Sequence, residues 1–409
     1  MATPLTLPHD HQERLALIRQ TFPDATGPDL ADHWRGGRLA ALSTLATVDG
    51  IAYGRSRNFL DGAVTRLSPY LRHGCITLNE AIKAVQLKHG ARAEKLLFEF
   101  AWRDYWRQVW TMQGDAIRSD MESPKVAVGR APLPADVLAG ETGLPCMDAF
   151  VSDLVNDGYV HNHARMWFAA YLLHWRKVDW RAAADWYEAQ LLDGDIASNS
   201  LSWQWVASTF GAKPYYFNKE NLEKYSAGRY CQDCTAQCPF DDSYEALNQR
   251  LFSPPRAPAR QYAVKALPAM STPAGSKTTV LVHDEMLSPL HPLLAEAEHA
   301  VFIFDPALHG HWALHRLQFM ADCLSEMEQV SVWVGDTRAV LSALDIGGIV
   351  TQASPNRDLQ RLLAKFAVHW VAEEPIAEVE LRASDLKRFS RYWQKVGPQL
   401  LGDSDYRKP

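Results

Sequence analysis

The sequence predicts a chain of two parts, an all-helical part followed by a smaller α/β part with a parallel sheet. Over residues 1–252, large apolar side chains recur at three- and four-residue spacings, as in EKLLFEFAWRDYWRQVW, which is the period of helices with one buried face. Over residues 278–409, short β-branched runs alternate with helical stretches. Between them, residues 253–277 hold five prolines and follow neither period, which predicts a linker.

The α/β part has room for about five strands over residues 278–375. TTVLV, AVFIF, VSVWV, GIVTQ and AVHWV are apolar on both faces, which is typical of strands in a buried, Rossmann-like parallel sheet. A final helix is predicted over RASDLKRFSRYWQKV.

Composition narrows the class of protein. Of 409 residues, 47% are hydrophobic and 22% charged, which indicates an ordered chain. No run approaches the roughly 20 apolar residues of a membrane span, and the first residues lack the pattern of a secretory signal, so we expect a cytoplasmic protein. The net charge of −6 argues against coating nucleic acid by charge alone. Residues 51–110 nevertheless hold ten basic and five acidic side chains, which suits a phosphate-bearing ligand.

Four segments of the helical part carry candidate binding residues. DGAVTRLSPYL places hydroxyls and an arginine in a turn before a helix, where backbone N–H groups also hold phosphate oxygens. FEFAWRDYW and HNHARM each place three functional side chains on one helical face. LLDGDIASNSLSWQW adds two aspartates, an asparagine and two tryptophans that face opposite ways. Each segment alone has a simpler explanation, namely that the aspartates cap a helix starting near Ile196 and that Trp102 and Met166 pack in a core.

Together, and in this order, the four segments resemble the flavin domain of the DNA photolyase and cryptochrome family over roughly residues 50–250. The resemblance implies a folded FAD in a helical pocket, with Asn199 near the flavin N5, where a neutral amide stabilises the reduced ring. Val64 departs from the family, which usually has a hydroxyl residue there. The residues assigned to FAD are Tyr53, Thr65, Arg66, Leu67, Ser68, Arg103, Arg165, Asp193, Asp195 and Asn199.

The resemblance also implies a pocket for a cyclobutane pyrimidine dimer flipped out of DNA. Indoles would stack on the extruded bases, while a carboxyl group and an amide bond their edges. His161-Asn162 stands where the branch that repairs (6-4) photoproducts has a histidine pair, which favours pyrimidine dimers. The pocket residues are Glu99, Trp102, Asn162, Met166 and Trp205, and Arg57 and His163 are expected to contact the DNA.

Family members reload the flavin with electrons through three tryptophans. Trp203 and Trp180 match the two nearer positions by the resemblance. The region of the third, ESPKVAVGRAPLPADVLAG, has neither tryptophan nor tyrosine, so Trp175 and Trp186 are alternative ends of the route.

Three of the six cysteines crowd into YCQDCTAQCPF. With Cys146, fifteen residues before His161, Cys231, Cys234 and Cys238 resemble the ligands of a four-iron, four-sulfur cluster in iron-sulfur bacterial cryptochromes and photolyases. The gap before Cys238 is shorter than in that subset. Zinc, or reduced thiols without a metal, are the alternatives. Cys75 and Cys323 have no partners in this cluster pattern and are expected to be buried structural thiols.

The α/β part resembles the domain that precedes the flavin domain in the family, often with an antenna chromophore. Here it follows, which predicts a circular permutation. The identity of any antenna is left open. The function implied is light-driven repair of UV-damaged DNA by a deoxyribodipyrimidine photo-lyase. The alternatives are a cryptochrome-like photoreceptor that signals to a protein partner, and a flavin redox protein that works in the dark.

Overall fold

The computed structural model describes residues 2–254, 278–344 and 346–402, so most of the predicted linker at 253–277 lies outside the described residues. The strands are β1 (Thr3–Pro4), β2 (Thr278–Val282), β3 (His299–Phe304), β4 (Val330–Val334), β5 (Gly348–Gln352) and β6 (Val368–Val371). The helices are α1 (His11–Thr21), α2 (Arg38–Thr47), α3 (Gly50–Ser56), α4 (Ser68–Arg72), α5 (Leu78–His89), α6 (Glu94–Gln113), α7 (Ala135–Ala139), α8 (Pro145–Ser152), α9 (Asn162–Ala170), α10 (Trp180–Gln190), α11 (Ile196–Ala207), α12 (Lys219–Tyr225), α13 (Tyr244–Leu251), α14 (Pro306–His309), α15 (Leu314–Ser325), α16 (Thr337–Ala343), α17 (Arg357–Leu363) and α18 (Phe389–Leu401).

The five strands predicted after residue 277 form one parallel sheet, as expected. The order across the sheet is β1-β4-β3-β2-β5-β6, so successive strands run outward from β2 on one side and then continue on its other side, as in Rossmann-like folds. The sixth strand, β1, pairs antiparallel with β4. Strand β1 has only two residues, which is too short to show the alternation of apolar and polar side chains that marks a strand, and the sequence therefore does not predict it.

The chain forms two compact units whose boundaries differ from the predicted ones. The α/β unit comprises the described residues of Met1–Val48, Thr65–Leu87 and Lys265–Glu378, and the helical unit those of Asp49–Val64, Lys88–Val264 and Val379–Pro409. Helix α18, predicted as the end of the α/β part, therefore belongs to the helical unit. Its Phe389 and Trp393 pack edge-on against Phe98 of α6, with ring centroids 4.8 and 5.0 Å away.

The α/β unit buries an ion pair and two thiols. Arg72 Nη2 lies 2.5 Å from Asp284 Oδ2. Burial alone would raise the pKa of Asp284, but the Arg72 guanidinium outweighs it and holds that pKa far below the ordinary value. Cys75 and Cys323 are buried as expected, and their sulfurs lie 3.4 Å apart. Their separation of 248 positions hides the pairing from the sequence.

Among the described residues, we find no helix whose length and apolar character would let it cross a bilayer.

His174 lies in the core of the helical unit, in the wide helical turn Tyr171–Trp175 that continues α9. Its side chain is buried, and its Nε2 lies 3.2 Å from the carbonyl oxygen of Val206 on α11. Burial disfavours the charged imidazolium and lowers the pKa of His174 to about 4. Folding therefore selects the neutral ring.

Acidification should destabilise the protein through this histidine. The unfolded chain takes up the proton near the ordinary pKa of 6.5 and the folded chain only near 4, so this contribution is complete above pH 6.5 and is lost between those values. Between these two pKa values, the free energy of unfolding falls by about 1.4 kcal/mol per pH unit because of this group. Urea unfolding measured from pH 7 to 4 should show a flatter decline in His174→Gln than in the wild type. The same change at the exposed His299 is the control, and equal slopes in all three proteins would contradict the prediction.

Candidate functional site

Asp195 is placed by the start of α11. As the residue before the helix, it accepts a hydrogen bond from the Ser198 N–H at 2.7 Å, which is the capping role that the simpler explanation predicts. Its other oxygen accepts from Arg103 Nη2 on α6 at 3.1 Å. Asp195 therefore caps α11 and joins it to α6.

Asp193 and Arg165 form a second link, between the loop before α11 and helix α9. Arg165 Nη2 donates to both Asp193 oxygens, at 3.0 and 2.9 Å, and Arg165 Nε donates to the Val160 carbonyl at 2.8 Å. Burial opposes the charge on the guanidinium, yet the Asp193 carboxylate outweighs it and raises the pKa of Arg165. Asp193 thus does not cap α11 but holds a cation.

Asn199 and Trp203, one turn apart on α11, are hydrogen-bonded to each other. Trp203 Nε1 donates to Asn199 Oδ1 at 3.0 Å, and Asn199 Nδ2 donates to the Ala184 carbonyl at 2.8 Å. The amide orientation is fixed from both ends, while each of its atoms keeps one further hydrogen-bonding position. The predicted flavin amide and the predicted first electron relay therefore form one connected pair.

Tyr187 on α10 is a site residue that the sequence analysis missed. Its ring lies 5.6 Å from the Trp203 ring, and its hydroxyl is fully buried. Within the described part of the chain that hydroxyl has no hydrogen-bond partner, and it interacts electrostatically with Arg165 and Asp193. A buried hydroxyl left unsatisfied beside an ion pair is the kind of group that a bound polar molecule completes. The apolar spacing of α10 marks Tyr187 only as a core residue.

The ten residues predicted to contact FAD are divided between the units. Thr65, Arg66, Leu67 and Ser68 belong to the α/β unit, and the other six belong to the helical unit. In the turn, Leu67 N–H donates to Thr65 Oγ1 at 3.3 Å. Arg66 has a left-handed backbone with φ of 51°, which costs an arginine about 1 kcal/mol or more and is typical of functional turns. Tyr53, on α3, is half-buried.

The residues predicted for the lesion pocket lie on three helices of the helical unit. Glu99 and Trp102 are on α6, Asn162 and Met166 on α9, and Trp205 on α11. Asn162 is exposed, and the other four are half-buried.

Glu99 is held by two cations. Its Oε1 lies 2.9 Å from Lys95 Nζ and 3.5 Å from Arg57 Nε, so Arg57, predicted to contact DNA, bridges α3 and α6 through this carboxylate. His163, the other predicted DNA contact, is buried. Its Nδ1 lies 2.7 Å from the Asn58 carbonyl, and its ring stacks on Trp167 with centroids 4.3 Å apart. His163 thus packs inside the helical unit, and its contact with DNA stays a prediction.

Both predicted relay tryptophans are buried in the helical unit. Trp180 begins α10 and donates from Nε1 to Asp120 Oδ1 at 2.8 Å. Of the two alternative ends, Trp186 is half-buried and lies 6.4 Å, between ring centroids, from Tyr187. Trp175 packs on Phe240, whose ring centroid is 5.1 Å away.

The four predicted cluster ligands surround one pocket. Cys146 lies at the start of α8, and Cys231, Cys234 and Cys238 lie in the loop after α12. All four line a pocket of about 330 Å³, together with Tyr230, Phe240 and other residues. Burial raises the pKa of Cys146 to about 12 and that of Cys231 to about 11. None of the four forms a disulfide among the described residues, where no group of three or more histidine, cysteine or acidic side chains is arranged to hold a metal ion.

Comparison with known proteins supports the assignment of this region. Residues 96–242 match the family model described as the FAD binding domain of DNA photolyase. A deoxyribodipyrimidine photo-lyase of Streptomyces griseus is 38% identical over 36% of this chain and 32% of its own length. A cryptochrome DASH of Idiomarina loihiensis is 30% identical over 50% of this chain and 48% of its own. The crystal structure of a Synechocystis cryptochrome aligns over 51% of this chain and 47% of its own, with 25% identity and a TM-score of 0.44.

The chain thus spans between a third and a half of the length of these curated relatives. The matched segment contains the ion pairs Arg103–Asp195 and Arg165–Asp193 and the hydrogen-bonded Asn199–Trp203 pair. It also contains all four clustered cysteines. Residues 96–242 of this chain are therefore similar to the FAD binding domain of DNA photolyase.

Proposed function

We propose that this protein is a light-driven DNA repair enzyme, a deoxyribodipyrimidine photo-lyase that splits cyclobutane pyrimidine dimers with reduced FAD. The observation that carries the proposal is the linked set on α9, α10 and α11: the Arg165–Asp193 ion pair, the Asn199–Trp203 hydrogen bond and the buried Tyr187 hydroxyl. These groups lie in the segment that matches the photolyase FAD-binding domain. Several curated relatives bear the name deoxyribodipyrimidine photo-lyase.

The donor set of the helical unit fits a flavin dinucleotide. Arg103 and Arg165 bring cationic forks of the type that binds pyrophosphate or flavin oxygens, and each is already oriented by an aspartate. Asn199 retains one N–H and one lone pair for the flavin edge. When bound and reduced, FAD supplies one electron to the lesion after absorbing light and takes it back. The protein's own part is to orient the ring, and Tyr53 of the helical unit is proposed as a further contact.

We propose that the lesion-pocket residues on α6, α9 and α11 recognise the pyrimidine dimer. Trp102 and Trp205 offer aromatic faces to the extruded bases, Met166 fills space beside them, and Asn162 bonds a base edge. Lys95 and Arg57 hold the Glu99 carboxylate in one orientation. In this orientation Glu99 is proposed to accept hydrogen bonds from the N–H groups of a base.

The cysteine pocket is proposed to hold a four-iron, four-sulfur cluster. Four thiols on one pocket match the ligand count of such a cluster, and a volume of about 330 Å³ exceeds what a single zinc ion with four bonds of about 2.3 Å requires. Because the pKa values of the Cys146 and Cys231 thiols are raised, binding of a cluster as thiolates must release protons from them. The aromatic side chains of Tyr230 and Phe240 also line the pocket.

Reduction of the oxidised flavin to its active form is proposed to run through Trp203 and Trp180. Trp203 is favoured as the first donor because it is hydrogen-bonded to Asn199, the residue assigned to the flavin N5. We further propose that the chain is circularly permuted, because the Rossmann-like sheet follows the FAD-binding segment.

Illumination of the purified, reduced protein with a dimer-containing oligonucleotide tests the proposed function. Repair should appear as restored thymine absorbance near 260 nm, in light and not in darkness, and undamaged DNA should bind more weakly. Protein that carries FAD and is photoreduced but restores no thymine would instead support the blue-light photoreceptor. That alternative draws on relatives named cryptochrome DASH. Protein whose flavin does not respond to light would contradict both.

A further inference from the structure

Helix α18 contributes an aromatic ring to the surroundings of the proposed lesion pocket. The Phe389 ring stacks on the indole of Trp102, with centroids 3.8 Å apart and planes inclined by only 7°. Trp102 also contacts Tyr105 and Trp106 of its own helix at 5.6 and 4.9 Å, in edge-on and tilted arrangements. Phe389 is therefore the residue that covers a face of Trp102 in parallel.

Polar contacts hold α18 in place on both sides of this stack. Tyr392 donates from its hydroxyl to Asp104 of α6, and Arg388 Nη2 donates to Glu122 Oε2 at 3.0 Å. Tyr105 donates from its hydroxyl to the Leu386 carbonyl at 3.0 Å. Phe389 is itself buried, with 6% of its surface exposed. The stack is part of a fixed interface between α6 and α18.

The half-buried state of Trp102 gives this interface a functional consequence. An indole can stack on an extruded base only if its plane is held at the correct angle, and each change of χ angle would sweep the ring out of register. Phe389 supports the indole plane from one face, and the remaining exposed surface of Trp102 is left for a base. A polar or aliphatic neighbour could not constrain the plane in the same way.

We infer that Phe389 is a positioning residue for lesion binding, which fixes the plane of Trp102 so that this indole stacks on a flipped pyrimidine dimer. The inference rests on the proposed function and extends it to the far C-terminal part of the chain. Helix α18 is then a component of the lesion site, although it follows the α/β strands in sequence.

The test is dimer affinity in full-length, FAD-loaded variants, measured with matched damaged and undamaged oligonucleotides. Phe389→Leu keeps volume but loses the aromatic plane, and it should weaken dimer binding about ten-fold while binding of undamaged DNA is unchanged. Phe389→Tyr restores the ring and should restore affinity. Trp102→Ala defines the full loss. Gln394→Ala, at an exposed position of α18, should bind dimers like the wild type.

The outcomes separate the inference from the proposed function. FAD content and unfolding temperature are measured for each variant, so that a general loss of folding in Phe389→Leu is recognised. In that case, the dimer affinity of Phe389→Tyr decides whether the aromatic ring at this position supports lesion binding. Unchanged dimer affinity in Phe389→Leu would overturn the inference, and so would tighter binding, because Phe389 would then compete with the base. A wild-type protein that does not prefer dimers would overturn the proposed function itself.

Discussion

Replacement of Cys146 by serine is expected to remove the iron and the broad visible absorbance of the purified protein while flavin bands remain. Cys146 stands 85 positions before Cys231, yet it lines the same pocket as the other three thiols. A cubane cluster needs a thiolate on each iron, and a serine hydroxyl is a poor substitute because it stays protonated. We expect about four irons per chain in the wild type and almost none in the variant.

Iron analysis and the absorption spectrum of anaerobically purified protein measure this effect. Cys75→Ser is the matched control, because Cys75 is buried in the α/β unit and pairs with Cys323 instead. If the wild-type protein contains one zinc and no iron, the proposed cluster is wrong and the four cysteines form a tetrahedral zinc site instead. Iron that persists unchanged in Cys146→Ser would show that Cys146 is not a ligand.

Asp193→Ala is expected to cause the largest loss of FAD. It leaves the Arg165 guanidinium without the carboxylate that now accepts two of its hydrogen bonds in a mostly buried site. Removing one member of a buried pair costs about 3 kcal/mol or more, which corresponds to roughly 100-fold in affinity if the cost falls on cofactor binding. Asp193→Ala also removes the proposed contact between Asp193 and the flavin, which weakens FAD binding further.

FAD retention after gel filtration and the equilibrium dissociation constant of added FAD measure this loss. Asp185→Ala on neighbouring α10 is the control, because Asp185 forms an exposed pair with Arg118 at 3.7 Å, and such surface pairs contribute about 0–1 kcal/mol. An Asp193→Ala protein that keeps its FAD at wild-type affinity would contradict the assignment of the Arg165–Asp193 pair to the cofactor site.

Local sequence patterns predicted the helices and strands of this protein more reliably than the tertiary contacts between them. The strands after residue 277 and the helices at 94–113 and 196–207 follow from periodicity, since burial of one face depends only on spacing along the chain. The cap at Asp195 follows for the same reason, because its partner, the Ser198 N–H, is three residues away. The ion pair between Asp193 and Arg165 was not derivable in this way, since its partners lie 28 positions apart on different elements.

The candidate site shows the same division. Resemblance in four motifs indicated Asn199 and Trp203, and the structure adds that they bond to each other. Tyr187 and Phe389 were missed because, in sequence, each is one more aromatic residue on the apolar face of a helix. Their significance lies in an unsatisfied buried hydroxyl and in a parallel ring stack, and both are properties of neighbours brought together by folding.

The sequence by itself determined the helical and α/β composition, the parallel strands and the flavin-domain motifs, because these depend on residue type and short-range spacing. Only the tertiary structure decided that α18 joins the helical unit, that β1 extends the sheet and that Cys75 lies beside Cys323. Each of these contacts joins segments separated by more than 240 positions. Their choice of partner depends on which apolar surfaces and polar groups remain to be satisfied once the local elements have formed, and that is a property of the whole fold.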